Sequence, residues 1–241
     1  MSPSRGPGGL VLFPGAGSSS DHPTLVALEV HLAPLPVGRF DFPYRREGRR
    51  APDRAPKLVA SVVEEATAFA AAHDLAPGSL VLGGRSMGGR MCSMAVAEGL
   101  PAAGLVLLSY PLHPPGRPDR LRIEHLPALD VPCLFVSGTR DPFGSPDELE
   151  REVAAIPGPV TIHWLEGGRH DVKGRDDEIA EVVAGWISGL GRRAPAAREP
   201  ARQAASTAAG TARSATARHP AVVGTPATSI TSFRASRGPS P

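Results

Sequence analysis

The sequence predicts an α/β fold: a minimal, mainly parallel six-stranded sheet with helices on both faces and no large lid. Three observations lead there. Short apolar runs alternate with stretches of helical periodicity from Leu10 to Leu190, the pattern of successive strand-to-helix crossovers. Almost nothing precedes the first apolar run, so no additional amino-terminal strands are expected. The segment between the fourth and fifth strands, Pro111 to Val131, is too short to build a helical cap.

Taken in order, Leu10 to Phe13 reads as the first strand, and Pro23 to Leu32 as a helix whose Leu25, Leu28 and Leu32 share one face. Val37 to Phe42 reads as the second strand. Arg45 to Pro56 is charged and contains proline, which predicts a surface loop, and Lys57 to His73 is a long amphipathic helix. The remaining strands are Leu80–Leu82, Gly104–Ser109, Cys133–Val136 and Val160–Leu165, with helices near Arg90–Glu98, Pro146–Ile156 and Asp176–Leu190. Crossovers of this kind start each strand from the same end of the sheet, so the strands run parallel and helices cover both faces.

Composition divides the chain into three parts. Residues 1–9 are a flexible N-terminus, 10–191 the folded domain, and 192–241 a disordered tail of Ala, Arg, Pro, Ser and Thr that cannot bury a core. The formal charge of +2 hides an asymmetry: the tail carries eight arginines against one glutamate, so the domain itself is acidic. Such a tail suits an acidic partner, an anionic membrane or nucleic acid. Nucleic acid is not expected, because the tail has a single aromatic residue, Phe233, rather than a series interleaved for base stacking, and a GC-rich coding sequence could produce the arginine excess.

Met1 to Gly9 has no apolar segment of the export type, and no apolar run approaches the roughly 20 residues a bilayer span requires, so a cytoplasmic protein without a membrane span is expected. Cys92 and Cys133 have neither pairing nor metal spacing and read as buried thiols. No cofactor motif or metal-ligand spacing is present, and nothing in the sequence specifies an oligomeric state.

The chemistry is carried by three short segments. Gly84-Arg85-Ser86-Met87-Gly88 directly follows an apolar run and opens a helix, the layout of a nucleophile elbow. A serine on so sharp a turn needs nearly side-chain-free neighbours at two positions to either side, which Gly84 and Gly88 provide. Asp141 follows the strand Cys133–Val136, and His170 follows Val160–Leu165 and the pair Gly167-Gly168. The order is serine, aspartate, histidine, each beyond the carboxyl end of a strand.

On Gly84-Arg85-Ser86-Met87-Gly88, Gly138-Thr139-Arg140-Asp141-Pro142-Phe143-Gly144 and Gly167-Gly168-Arg169-His170, the chain resembles the α/β-hydrolase superfamily over roughly Leu10 to Leu190. Gly83 to Arg90 and Tyr110 to Gly116 look like its small dienelactone-hydrolase-like, KANL/Tex-type group. The resemblance implies a serine hydrolase that cleaves an ester, thioester or related acyl bond of a small-molecule substrate through an acyl-serine intermediate.

In that reading Ser86 is the nucleophile, His170 the general base and Asp141 the residue that orients the imidazole. His163 competes with His170 but lies inside a strand. Asp141 could instead cap the helix beginning near Pro146, a role Ser145 fills more directly. The oxyanion donors are the backbone N–H groups of Met87 and of Ala16, with Gly17 the alternative to Ala16. Pro14-Gly15 stands where many α/β-hydrolases have His-Gly, which leaves that choice open. His113 and Arg117, in a loop that also holds Arg120, Arg122 and His125, are candidates for binding a carboxylate-bearing substrate; the plainer reading pairs those charges with Asp119 and Glu124. The competing class is an interaction domain that kept the fold and uses the basic tail, and retention of the complete Ser86, Asp141, His170 set argues against it.

Overall fold

A computed structural model describes residues 6–190. Among them, strands β1 (Gly9–Phe13), β2 (Val37–Arg39), β3 (Leu80–Arg85), β4 (Gly104–Leu108), β5 (Cys133–Gly138) and β6 (Val160–Leu165) form one sheet in the order β2-β1-β3-β4-β5-β6. Every neighbouring pair is parallel. Helices α1 (Pro23–Leu32), α2 (Pro43–Arg46), α3 (Ala55–Ala72), α4 (Met87–Ala97), α5 (Pro146–Val153) and α6 (Asp176–Leu190) surround it. This is the parallel α/β sheet that the sequence predicts. The assignments of a tail at 192–241 and of the first five residues to a flexible N-terminus lie outside the described residues.

Alternation along each strand sorts the core onto two faces. Leu10 and Leu12 of β1 join Leu25 and Leu28 of α1 and Ile179 and Val183 of α6, while Val11 and Phe13 join Leu58 and Val62 of α3 and Met91 and Cys92 of α4. All five residues of β1 and all six of β3 and β5 are buried, so these central strands are covered on both sides. Each fully buried Leu or Val contributes roughly 1.5–3 kcal/mol, which fixes the register that the loops inherit.

The strand order sets the position of the site. From β1 the chain moves outward to β2, then returns to lay β3 on the other side of β1 and continues through β4 to β6. The loops after β1 and β3 therefore diverge, leaving a crevice at the carboxyl ends of adjacent strands.

Element boundaries differ from expectation where tertiary contacts intervene. β2 stops at Arg39, three residues early, because Phe40 and Phe42 turn toward Phe13; the Phe13 and Phe42 rings stack with centroids 5.0 Å apart. Part of the expected surface loop is α2, which Pro43 starts with its fixed φ, and which buries Tyr44 completely. β3 runs on through Gly83 to Arg85, and α4 begins at Met87 rather than Arg90. None of the described helices is long and apolar enough to cross a membrane.

Candidate active site

Ser86 sits between β3 and α4 with φ +51° and ψ −115°, a left-handed conformation that a residue with a side chain adopts only under constraint. The constraint is visible: the Ser86 N–H donates to Leu108 O at 2.8 Å, and Ser86 O accepts from Arg90 N at 3.1 Å as the first turn of α4 forms. A Cβ on Gly84 or on Gly88 would lie 2.1 Å from Phe13 O, so both glycines are required for the β3–α4 turn to approach β1.

Asp141 lies in the turn after β5 and His170 in the loop after β6. Parallel pairing of β5 with β6 brings the two loops together, and Arg140 N donates to Gly168 O at 2.8 Å while Gly167 N donates to Thr139 Oγ1 at 2.9 Å. Asp141 is buried; its Oδ1 accepts from Phe143 N at 2.8 Å, and Oδ2 is 2.7 Å from His170 Nδ1. His170 Nε2 lies 2.9 Å from Ser86 Oγ. A carboxylate oxygen only accepts, so Nδ1 carries the proton and Nε2 is left as the acceptor facing the serine hydroxyl. The Phe143 ring stacks on the imidazole at 3.9 Å between centroids. His163, by contrast, is paired with Glu178 at 3.5 Å.

The backbone of His170 is held from the serine side. Arg85 is buried, and its Nη2 donates to His170 O at 2.7 Å. Burial pulls the Arg85 guanidinium below its ordinary value, and the surrounding Asp171, Asp141 and Asp176 oppose that pull. Nearby His22 is lowered too, by burial first and then by the Arg85 charge.

The loop after β1 closes the other side. Gly15 packs beside the serine, a Cβ built on it lying 3.6 Å from Ser86 Cβ. Gly15 O accepts from Ser18 N at 3.1 Å, and Ala16 O accepts from the buried Tyr44 hydroxyl at 2.9 Å. Ala16, Gly17, Ser86, Met87 and His170 all border one cavity of about 700 Å³, together with Arg85, Arg90 and Arg122. A groove of about 570 Å³ between α3 and α4 is lined by Val59, Val63, Met94 and Glu64 and holds no nucleophile.

His113 and Arg117 do not border this cavity. His113 is buried, with Nδ1 2.9 Å from Pro114 O and Nε2 3.6 Å from Glu148, and Arg117 is exposed in the turn that follows. Arg122 from the same crossover does reach the cavity, and so does Arg90, which sequence reasoning missed. Its spacing was the available signal: four residues after Ser86 on one helix places it one turn along the same face. Cys92 and Cys133 are buried thiols, and burial raises Cys133 to about 12. Among the described residues no cluster of His, Cys, Asp or Glu has the arrangement of a metal site.

Comparison with known proteins places this geometry in context. A family described as "Alpha/beta hydrolase domain" matches residues 8–184. The fold is similar to that of an alpha-beta serine hydrolase homologue from Coxiella burnetii, at 17% identity and a TM-score of 0.61 over 74% of this chain and 84% of that one. It is similar to Est1E from Butyrivibrio proteoclasticus, at 14% identity and a TM-score of 0.62 over 79% and 90%. It is also similar to dienelactone hydrolase from Anabaena variabilis, at 21% identity and a TM-score of 0.60 over 77% and 88%.

Proposed function

The chain belongs to the alpha/beta hydrolase domain family, and from that premise we propose that residues 10–191 form a serine hydrolase in which Ser86, His170 and Asp141 cleave an ester, thioester or related acyl bond of a small substrate. The observation that carries this reading is the unbroken chain from Ser86 Oγ to His170 Nε2 at 2.9 Å and from His170 Nδ1 to Asp141 Oδ2 at 2.7 Å.

In this mechanism Nε2 of His170 removes the Ser86 proton as Oγ attacks the acyl carbon. Asp141 keeps the proton on Nδ1 and stabilises the imidazolium without itself taking it. The oxyanion of the tetrahedral intermediate is met by the N–H of Met87, at the first turn of α4, and by that of Ala16, whose carbonyl is anchored by Tyr44. His170 then protonates the leaving group. Water, activated by the same nitrogen, attacks the acyl-serine and restores the enzyme. The cavity bordered by Pro111, Phe143, Met87 and Met91 is roomy enough for a small acyl group.

Hydrolysis of short-chain 4-nitrophenyl esters tests the reading. Wild type should show a burst of 4-nitrophenol equal to the enzyme concentration when deacylation is slow, and Ser86→Ala none. Equal rates for the two proteins would sink it.

A further inference from the structure

Of the three arginines that border the cavity beside Ser86, Arg85 is engaged with His170 O and surrounded by Asp171, Asp141 and Asp176. Arg90 and Arg122 are not engaged. Among the described residues neither guanidinium makes an ion pair or donates a side-chain hydrogen bond, and Arg90 Nε is buried with no acceptor. No acid nearby among the described residues pairs with either guanidinium. Asp53, also on the cavity wall, is held by Arg49 at 3.0 Å and Lys57 at 3.2 Å. Asp171, exposed at the cavity rim, offsets the Arg85 charge, and the exposed Glu124 influences Tyr110 and His125 without pairing with either arginine. His125, which lies near Arg90, is held uncharged at neutral pH by burial, so it can neither offset the two guanidinium charges nor add a third.

Two partly buried guanidinium groups that border one cavity and repel one another are unfavourable unless an anion completes them. Burial and the charge of Arg90 both pull Arg122 below its ordinary value, in keeping with a pair that lacks a counter-ion. The planar fork of arginine matches a carboxylate in a two-point contact. The backbone places Arg90 one helical turn, roughly 6 Å of rise, beyond Ser86.

We propose that the acyl group transferred to Ser86 ends in a carboxylate, and that Arg90 and Arg122 bind that carboxylate while Ser86 attacks the carbonyl at the other end of a short spacer. The substrate class is thus the monoester or thioester of a short dicarboxylic acid. In the reaction the Ser86 Oγ–acyl bond forms as the ester C–O or thioester C–S bond breaks, and His170 hands the serine proton to the departing alcohol or thiol. Water then releases the free dicarboxylate. The proposal rests on Ser86 acting as the nucleophile.

The test separates the two. Full-length Ser86→Ala, which cannot turn over substrate, is titrated by calorimetry with 4-nitrophenyl hemiglutarate and with 4-nitrophenyl butyrate, alone and combined with Arg90→Gln or Arg122→Gln. The acidic ester should bind at least tenfold more tightly than the neutral one, and each arginine substitution should lower that ratio about tenfold. An acidic-to-neutral ratio near one, or a ratio that neither substitution moves, overturns the proposal. Reaction of Ser86 with a neutral fluorophosphonate is measured separately in the chains that retain the serine. Its failure would overturn the nucleophile and with it the acyl-transfer step, whereas the binding ratio alone decides the arginine pair.

Discussion

Arg85 Nη2 donates to the carbonyl oxygen of His170 at 2.7 Å, so the residue immediately before the candidate nucleophile anchors the backbone of the candidate base. The contact joins the last residue of β3 to the loop after β6, two elements separated by β4 and β5 in the sheet. It keeps the imidazole at the carboxyl end of β3, where Ser86 projects.

Arg85→Gln should leave Ser86 in place but loosen His170. A charge-assisted hydrogen bond contributes about 1.5–3 kcal/mol, so kcat should fall by roughly 10- to 100-fold while KM for a short neutral ester changes little. Arg85→Lys, which keeps the charge and a donor, should recover part of the loss.

Tyr44→Phe removes the hydroxyl that donates to Ala16 O without changing the buried ring. Loss of this bond should lower stability by about 1 kcal/mol and, on the proposed role of Ala16 as second oxyanion donor, slow acylation several-fold as that loop is released. Urea unfolding and stopped-flow ester cleavage check the two effects.

Gly84→Ala and Gly88→Ala each place a methyl group 2.1 Å from Phe13 O, and Gly84 adds a φ of +153°. No rotamer relieves a Cβ clash with backbone, so either change should destabilise the fold by more than about 3 kcal/mol or prevent folding. Gly99→Ala, at φ +106° with nothing within 4 Å, should cost only the smaller backbone strain.

His125 gives the stability a pH dependence. Burial pulls it down to about 4, with the Arg90 charge adding to the effect, and Nε2 lies 2.8 Å from Ser93 Oγ. Unfolding restores its ordinary value near 6.5, so between these two pH values the unfolded chain binds the extra proton. This contribution is fully present above about pH 6.5, is lost as pH falls toward 4, and is on the order of 3 kcal/mol. Urea midpoints should show that decline between pH 6.5 and 4.5 for wild type and a shallower one for His125→Gln.

The serine, aspartate and histidine are legible in the sequence because each depends on local chemistry, a strand end followed by a turn. Gly84 and Gly88 announce a turn that nothing else accommodates, and Gly167-Gly168 marks the bend before His170. What the sequence does not display is set by contacts across the fold. Pro43 starts α2 just ahead of Arg45 and Arg46, and the Tyr44 hydroxyl ties that turn to the loop after β1, a contact no local pattern displays. Arg90 and Arg122 are 32 positions apart and come to the same cavity only because α4 and the crossover after β4 both border it. His113 turns into the fold toward Glu148 of α5 instead, which charge patterning within one loop does not foretell.

Whether Ser86 is an activated nucleophile, as proposed, is read out by its reaction with a fluorophosphonate followed by intact mass. Wild type should gain one phosphonyl group per chain, Ser86→Ala none, and His170→Ala should react at least a hundredfold more slowly. Failure of folded wild type to react, or equal reaction of Ser86→Ala, would contradict the account.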